Sequence, residues 1–233
     1  MPGHRRHPDP DVFTDIGDRS SNQCPGRIGP GGTYSGKGTW YTPDNPTGNC
    51  LYDNALQDPS GAFAAMNETD YETARMCGAY IEATGPKGTI RVKIVDRCPL
   101  PCAPGQIDFS KQAFTRIAGD PQLGEVPISW HLVSPADIGN VEYVVRNGSS
   151  EWYLAIQPRN HRNPVASLEI SVNGKWQVLE RQMWNYFLPT PAGLGKGPFT
   201  VRLTDIYGEQ LISSGITLTP GTVQSTSAQF AQH

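Results

Sequence analysis

All five cysteines, Cys24, Cys50, Cys77, Cys98 and Cys102, fall within the first 102 of 233 residues. All of them lie in the first half of the chain, so the second half has no cysteine to cross-link it. No histidine lies among the five, and the Cys98 to Cys102 spacing is not a CxxC pair, which argues against zinc. Disulfides in an exported domain are the expected use. Cys50, Cys77, Cys98 and Cys102 can form two bridges, and the sequence does not fix which. Cys24 is the expected odd thiol.

The polypeptide between these cysteines is strand-forming. With 25 Gly and 21 Pro it is rich in turns, and no long run of helix formers at helical spacing occurs. GKGTWYT (36–42), AYIEATG (79–85), TIRVKIVDR (89–97) and VPISWHLVS (126–134) read as strands. In TIRVKIVD, Ile90, Val92 and Ile94 share one face and Arg91, Lys93 and Val95 the other. Ser110 is placed to cap a helix over KQAFTRIAG that ends at Gly119, and FAAMN (63–67) reads as a short helical turn.

The pattern resets near SPADIGN (134–140). Beyond it VEYVVRN, EWYLAIQ, VASLEIS, KWQVLER, FTVRLTD and QLISSGITL alternate, with hairpin signals at NGK (173–175) and YGE (207–209). Short strands at roughly ten-residue spacing predict a β-sandwich. The expected organisation is an arm over 1–30, a first domain over 31–134, a sandwich over 135–220 and a frayed tail over 221–233. The arm has no apolar core segment and is not an intact signal peptide. No apolar run approaches the roughly 18 residues of a membrane span.

Net charge is −3. Between 31 and 134 there are 8 basic and 11 acidic residues, and between 135 and 220 there are 7 of each. Neither half offers the basic field that nucleic acid requires, so a neutral partner bound by non-ionic contacts fits better. The segment IVDRCPLPC (94–102) puts Asp96 at the end of a strong strand, beside a rigid Cys-Pro turn. That placement suits a general acid or an acceptor for a sugar hydroxyl. Asp108 follows in QIDFS. Both have plain structural uses as well: Asp108 precedes a helix and favours its N-terminus, and Asp96 can cap its turn. His131 and His161 read as structural hydrogen-bonders, and Trp40, Trp130 and Trp176 as packing or rim residues. Asn67 and Asn147 sit in glycosylation sequons.

GTWY (38–41), MCGAYIEATGPKGTIRVKIVDRCP (76–99), IDFSKQAFTRIA (107–118) and ISWHLV (128–133) together resemble the double-psi β-barrel domain of expansins. GSSEWYLAIQPRNHRNPV (148–165) and TVRLTDIYG (200–208) resemble the carbohydrate-binding domain of bacterial expansins. The likeness covers roughly 31–220 in the right domain order. It implies an all-β protein, a six-stranded double-psi β-barrel followed by an immunoglobulin-like β-sandwich. It also implies a secreted monomer that binds cellulose and related β-glucans and loosens plant-type wall without hydrolysis. No cofactor, metal, nucleic acid or membrane partner is implied.

By position, the resemblance assigns the wall-loosening site to Asp96, with Thr39, Tyr41 and Asp108 around it. Tyr41 stands where a bacterial relative has Thr, and Cys98 where it has Tyr. The sugar-binding surface falls on Trp152, Tyr153 and Trp184, with Arg146 beside them. Adjacent residues of a regular strand point to opposite faces, so Trp152 and Tyr153 cannot both face outward unless a bulge or twist near SSEW re-aims one. An inverting hydrolase needs a second carboxylate to activate water. The stretch Thr39 to Thr42 has none, and Asp44 in PDNP is the nearest candidate. The competing readings are a barrel endoglucanase or lytic transglycosylase using Asp96 as general acid, and a non-catalytic signalling or defence protein. The acidic balance predicts weaker, less salt-dependent wall binding than a basic relative would show.

Overall fold

The computed structural model describes residues 26–233, so Cys24 and most of the expected arm lie outside it. Among the described residues the regular secondary structure is almost entirely strand, joined by turns and loops. Strands β1 (Thr33–Tyr41), β2 (Phe63–Asn67), β3 (Tyr80–Gly85), β4 (Gly88–Cys98), β5 (Ile107–Ser110) and β6 (Glu125–Val133) close a barrel in the order β1-β5-β2-β4-β3-β6. The β1–β5 and β2–β4 pairs are parallel and the rest antiparallel. Ala64, Met66, Ile81, Val92, Ile94, Phe109 and Trp130 fill the interior. The Trp130 indole is paired, donating to the Gly105 carbonyl at 2.9 Å.

Among the described residues two α-helices interrupt the strands, with short 3-10 turns at Ala55–Gln57 and Pro121–Leu123. Helix α1 (Glu68–Tyr71) is a single turn, and α2 (Lys111–Ala118) plugs one side of the barrel with Phe114 and Ile117. As predicted, Ser110 caps α2 by accepting from the Ala113 amide at 3.0 Å, and Gly119 ends it. FAAMN is not a helical turn. It is β2, and all five residues are buried. Its inner face joins the barrel core, while Phe63 packs under a second cluster with Cys50, Tyr52, Leu56, Tyr71, Cys77 and Val95. Burial on both faces removes the alternation that marks a strand.

The bridges are Cys50–Cys77 and Cys98–Cys102, with Cα separations of 5.6 and 5.9 Å, ordinary for disulfides. The first ties the 42–57 loop to the turn segment between α1 and β3. The second closes the turn after Asp96.

The second half forms β7 (Glu142–Val145), β8 (Ile156–Arg159), β9 (Val165–Val172), β10 (Lys175–Val178), β11 (Glu180–Arg181), β12 (Phe187–Leu188), β13 (Phe199–Asp205), β14 (Gln210–Ile216) and β15 (Val223–Ser225). One sheet runs β10-β9-β13-β14 and the other β11-β12-β8-β7-β15. Tyr143, Ile156, Leu168, Ile170, Val201 and Leu203 are buried in the core between them. Asn173 and Gly174 make the predicted two-residue hairpin between β9 and β10. Two expectations fail here. EWYLAIQ is not one strand, because residues 151–155 form a turn and loop and β8 begins only at Ile156. The tail does not fray: β15 pairs with β7, and Phe230 is buried in the sandwich core. No helix among the described residues is long and apolar enough to cross a membrane.

The barrel and sandwich meet through a buried polar contact. The Cys50 carbonyl accepts from Gln157 Nε2 at 2.9 Å and Asn185 Nδ2 at 3.1 Å. Arg159 reaches back to Asp53 at 2.6 Å and to the Leu51 carbonyl at 3.3 Å. His161 is buried beside Tyr52, Nε2 to Oη 3.4 Å. Asn67 is fully buried and hydrogen-bonded, so its sequon is inaccessible in the folded chain.

Candidate functional site

Strand register assembles the barrel site. Thr39 lies opposite Asp108, Asp108 opposite Ala65, and Ala65 opposite Asp96. These four residues form one row across β1, β5, β2 and β4. Ile107 and Phe109 fill the core, so Asp108 between them faces outward. Asp96 has the same parity as Ile90, Val92 and Ile94, which point inward. A register shift between Ala64 and Ala65 resolves the conflict: Ala64 pairs with Ile94 and Ala65 with Asp96. Val95 is thus the extra residue of a β-bulge, and a one-residue slip turns the following side chains to the other face. The bulge is what brings Asp96 out beside Asp108.

Asp96 is held by the loop after β1. Its Oδ1 accepts from the Asn49 amide at 2.7 Å and the Arg97 amide at 2.8 Å. Its Oδ2 faces the Tyr41 hydroxyl, which donates at 3.3 Å. Burial, reinforced by the Asp96 charge, pushes the Tyr41 phenol far above its usual range, so it stays a donor. Gly48 allows the loop to come this close. It has φ +64°, and a Cβ there would lie 2.4 Å from the Val95 carbonyl oxygen. Asn45 shapes the turn by accepting from the Gly48 amide at 2.7 Å. Asp44, the other acid of this loop, is bonded to the Asn45 side chain at 2.8 Å.

Asp108 is set by a chain whose direction can be read from its fixed end. The Ala103 amide can only donate, and it reaches Gln106 Oε1 at 3.2 Å. The Gln106 amide nitrogen therefore faces Thr39 Oγ1, donating at 3.1 Å. The Thr39 hydroxyl proton is left for Asp108 Oδ1, at 2.6 Å. Burial pushes the Asp108 carboxyl above the usual carboxylate range, opposed by the Thr39 bond and reinforced by the Asp96 charge. Cys98 Sγ lies 3.8 Å from Asp108 Oδ2 and, being in a disulfide, carries no proton. Gln106 and Asn49 are absent from the sequence-level site. Neither sits in a motif, and only the loop geometry reveals them.

In the sandwich, the puzzle of adjacent Trp152 and Tyr153 dissolves. Ser150 and Tyr153 exchange backbone hydrogen bonds at 2.7 and 3.1 Å, so Glu151 and Trp152 are the corners of a tight turn. Alternation does not apply at a corner, and Trp152 is 77% exposed. Tyr153 is half-buried. The 191–195 loop braces this turn, with Leu154 donating to the Ala192 carbonyl at 2.9 Å. A Cβ at Gly193 would sit 2.7 Å from the Trp152 Cα. Trp184, between β11 and β12, is half-buried against Tyr186 with ring centroids 5.3 Å apart. The Arg146 guanidinium lies over the Trp184 ring, 5.0 Å from its centroid.

Asn49 links the two groups. Its backbone amide holds Asp96, and its side chain donates to the Met183 carbonyl at 2.8 Å, one residue before Trp184. The Tyr71 hydroxyl also donates to that carbonyl, at 3.1 Å. The surface around Asp96 therefore continues into the aromatic group of the sandwich. Such a surface offers carboxylate and hydroxyl partners at one end and flat apolar faces at the other.

For a metal, Asp205, Glu209 and His233 lie close together among the described residues. Asp205 is already committed, accepting from the Tyr207 and Glu209 amides at 2.9 Å each and from Asn163 at 2.7 Å. It closes the β13–β14 turn. Trp40 and Trp176 also serve packing: the Trp40 indole donates to the Pro121 carbonyl at 2.8 Å, and Arg202 lies 4.5 Å over the Trp176 ring.

No protein-family model matches the chain. Expansin-YoaJ of Bacillus subtilis is 40% identical over 151 residues, which are 63% of this chain and 63% of that protein. Expansin-like protein 1 of Dictyostelium discoideum is 25% identical over 205 residues, covering 83% of this chain and 70% of that one. Among solved structures, a mutant Clavibacter michiganensis expansin in complex with cellohexaose superimposes with a TM-score of 0.79 at 32% identity. The match takes in 87% of this chain and all of that one. With both halves matched in order across the full length of a solved expansin, the chain belongs to the expansin family.

Proposed function

We propose that the chain binds β-glucan, cellulose foremost, outside the cell and loosens plant-type wall without cleaving it. The observation that carries the reading is the continuity from Asp96 through Asn49 to Trp184. Sugar rings stack their C–H faces on aromatic rings, and their equatorial hydroxyls need acceptors and donors at the edges. Trp152, Tyr153 and Trp184 supply the faces, Arg146 an edge donor, and Asp96 with Tyr41 the hydroxyl partners. The cellohexaose bound by the Clavibacter relative supports this ligand class. Asp96 accepts glucan hydroxyls through its Oδ2, the oxygen not taken by two backbone amides, and pulls a strand away from its neighbours.

The test runs a wall-creep assay beside a reducing-sugar assay. Wild type is expected to extend a stretched wall and release no sugar. Asp96→Asn should abolish creep and keep cellulose binding, while replacing Trp152, Tyr153 and Trp184 by Ala should lose binding. Protein that neither binds cellulose nor causes creep would defeat the proposal.

A second reading, hydrolysis, draws on one observation. Asp96 and Asp108 flank a single strand, at roughly twice the 4.8 Å strand spacing, and Asp108 is pushed toward protonation. Against it, an acceptor oxygen of Asp108 is committed to Thr39, and Asp44 is bonded to Asn45. Soluble sugar that disappears in the Asp96→Asn variant would favour hydrolysis.

A further inference from the structure

Beside Tyr41 a recess of about 620 Å³ opens between the 42–59 loop and α2, and Asp96 is not part of its lining. That volume falls in the range of about 300–1,000 Å³ usual for small-ligand sites. The buried side chains of Leu56 and Phe63 make its floor and Tyr41 one wall. Thr42, Gln57 and Gln112 stand around it. Among the described residues, none of these three side chains has a hydrogen-bond partner. Its lining carries one negative and one positive side chain, Asp58 and Lys111. Free amides and hydroxyls around an apolar floor, with no net charge, suit a neutral polyhydroxylated ring.

The recess is continuous with the glucan surface, because Tyr41 belongs to both. Its ring walls the recess while its hydroxyl holds Asp96. A ligand strand lying on Asp96 is one aromatic ring away from the opening. An unbranched glucan strand has nothing to put there, since its rings follow one another along the surface. A single sugar attached as a side branch would reach it.

We propose that this recess is a subsite for a short neutral sugar branch, and that the chain favours side-branched β-1,4-glucan over the unbranched polymer. The proposal rests on the glucan-binding reading above. Calorimetry with two oligosaccharides of equal backbone length, one linear and one bearing single-sugar branches, tests both. The branched ligand is expected to bind about tenfold tighter, a difference of about 1.4 kcal/mol. Thr115→Trp, which fills the recess from α2, should remove that preference and leave linear binding within about twofold. Should that variant fold poorly in a thermal melt, Gln57→Ala with Gln112→Ala takes its place and should lower the preference likewise. Equal affinities in wild type, or a preference that survives both variants, would overturn the subsite and leave glucan binding standing. Absence of binding to either ligand would overturn both.

Discussion

Asp96 and Asp108 sit in one row of the barrel, yet their surroundings differ in kind. Asp96 meets amide and hydroxyl donors, whereas burial dominates at Asp108 and raises its carboxyl. A raised carboxyl binds its proton more tightly folded than unfolded. Its contribution is therefore fully present below the ordinary carboxylate range and is lost as pH rises through the raised value. Asp108→Asn keeps an acceptor for Thr39 and removes the charge. It should melt higher than wild type at pH 7, with the gain shrinking toward pH 4; equal melting at both would refute the assignment. Gln106 gives a second handle. Gln106→Leu leaves the exposed Ala103 amide to water and frees the Thr39 hydroxyl to turn, so Asp108 loses a directed donor. A stability loss of about 1 kcal/mol is expected, together with a further upward move of the Asp108 titration, followed by carboxyl NMR. A purely packing role for Gln106 would leave that titration in place.

At the scale of elements, legibility in the sequence followed exposure to one-sided environments. β4, β6, β13 and the capped helix α2 each have one wet face, so their periods are visible, and the structure contains them. β2 is buried on both sides, and a run of Ala, Ala and Met without alternation reads as helix. The Val95 bulge cannot be seen in TIRVKIVD, since alternation simply carries on into Val95. Asp96 was singled out by its turn and by family likeness, but its exposure beside Asp108 needed the register with β2. Trp152 shows the converse: the difficulty read from alternation was real, and its resolution is a turn rather than a bulge. The loop carrying Asn49 depends on the Cys50–Cys77 bridge, which spans 27 residues. Replacing both cysteines by Ser should cost about 3 kcal/mol through freed unfolded-state entropy. It should also release Asn49 from Asp96 and lower glucan affinity even where the protein remains folded. Chemical denaturation and binding measured on the same variant separate the two effects.

The whole molecule works as a bound pair of units, and the seal between them is polar and buried. His161 lies at that seal, near Gly78 and Tyr52, with Nδ1 at 2.9 Å from the Asn163 carbonyl. The carbonyl can only accept, so Nδ1 carries the proton and Nε2 accepts from Tyr52. Burial, with the nearby positive charges of Lys93 and Arg181, lowers the imidazole to about 3. Lys93 is itself lowered to about 8 by burial, with Arg159 adding repulsion. Acid therefore finds a base in the unfolded chain that the folded chain withholds. Stability should be unaffected by His161 above pH 6.5 and decline from there toward about 3, by at most about 1.4 kcal/mol per pH unit. Because the imidazole lies between barrel and sandwich, its protonation should open the seal before either unit unfolds. Small-angle scattering across pH 7 to 4 should show the radius of gyration rising ahead of the loss of far-ultraviolet dichroism. His161→Gln keeps a neutral side chain at the seal and should flatten the decline. An unchanged pH profile in that variant would assign the acid sensitivity to other groups.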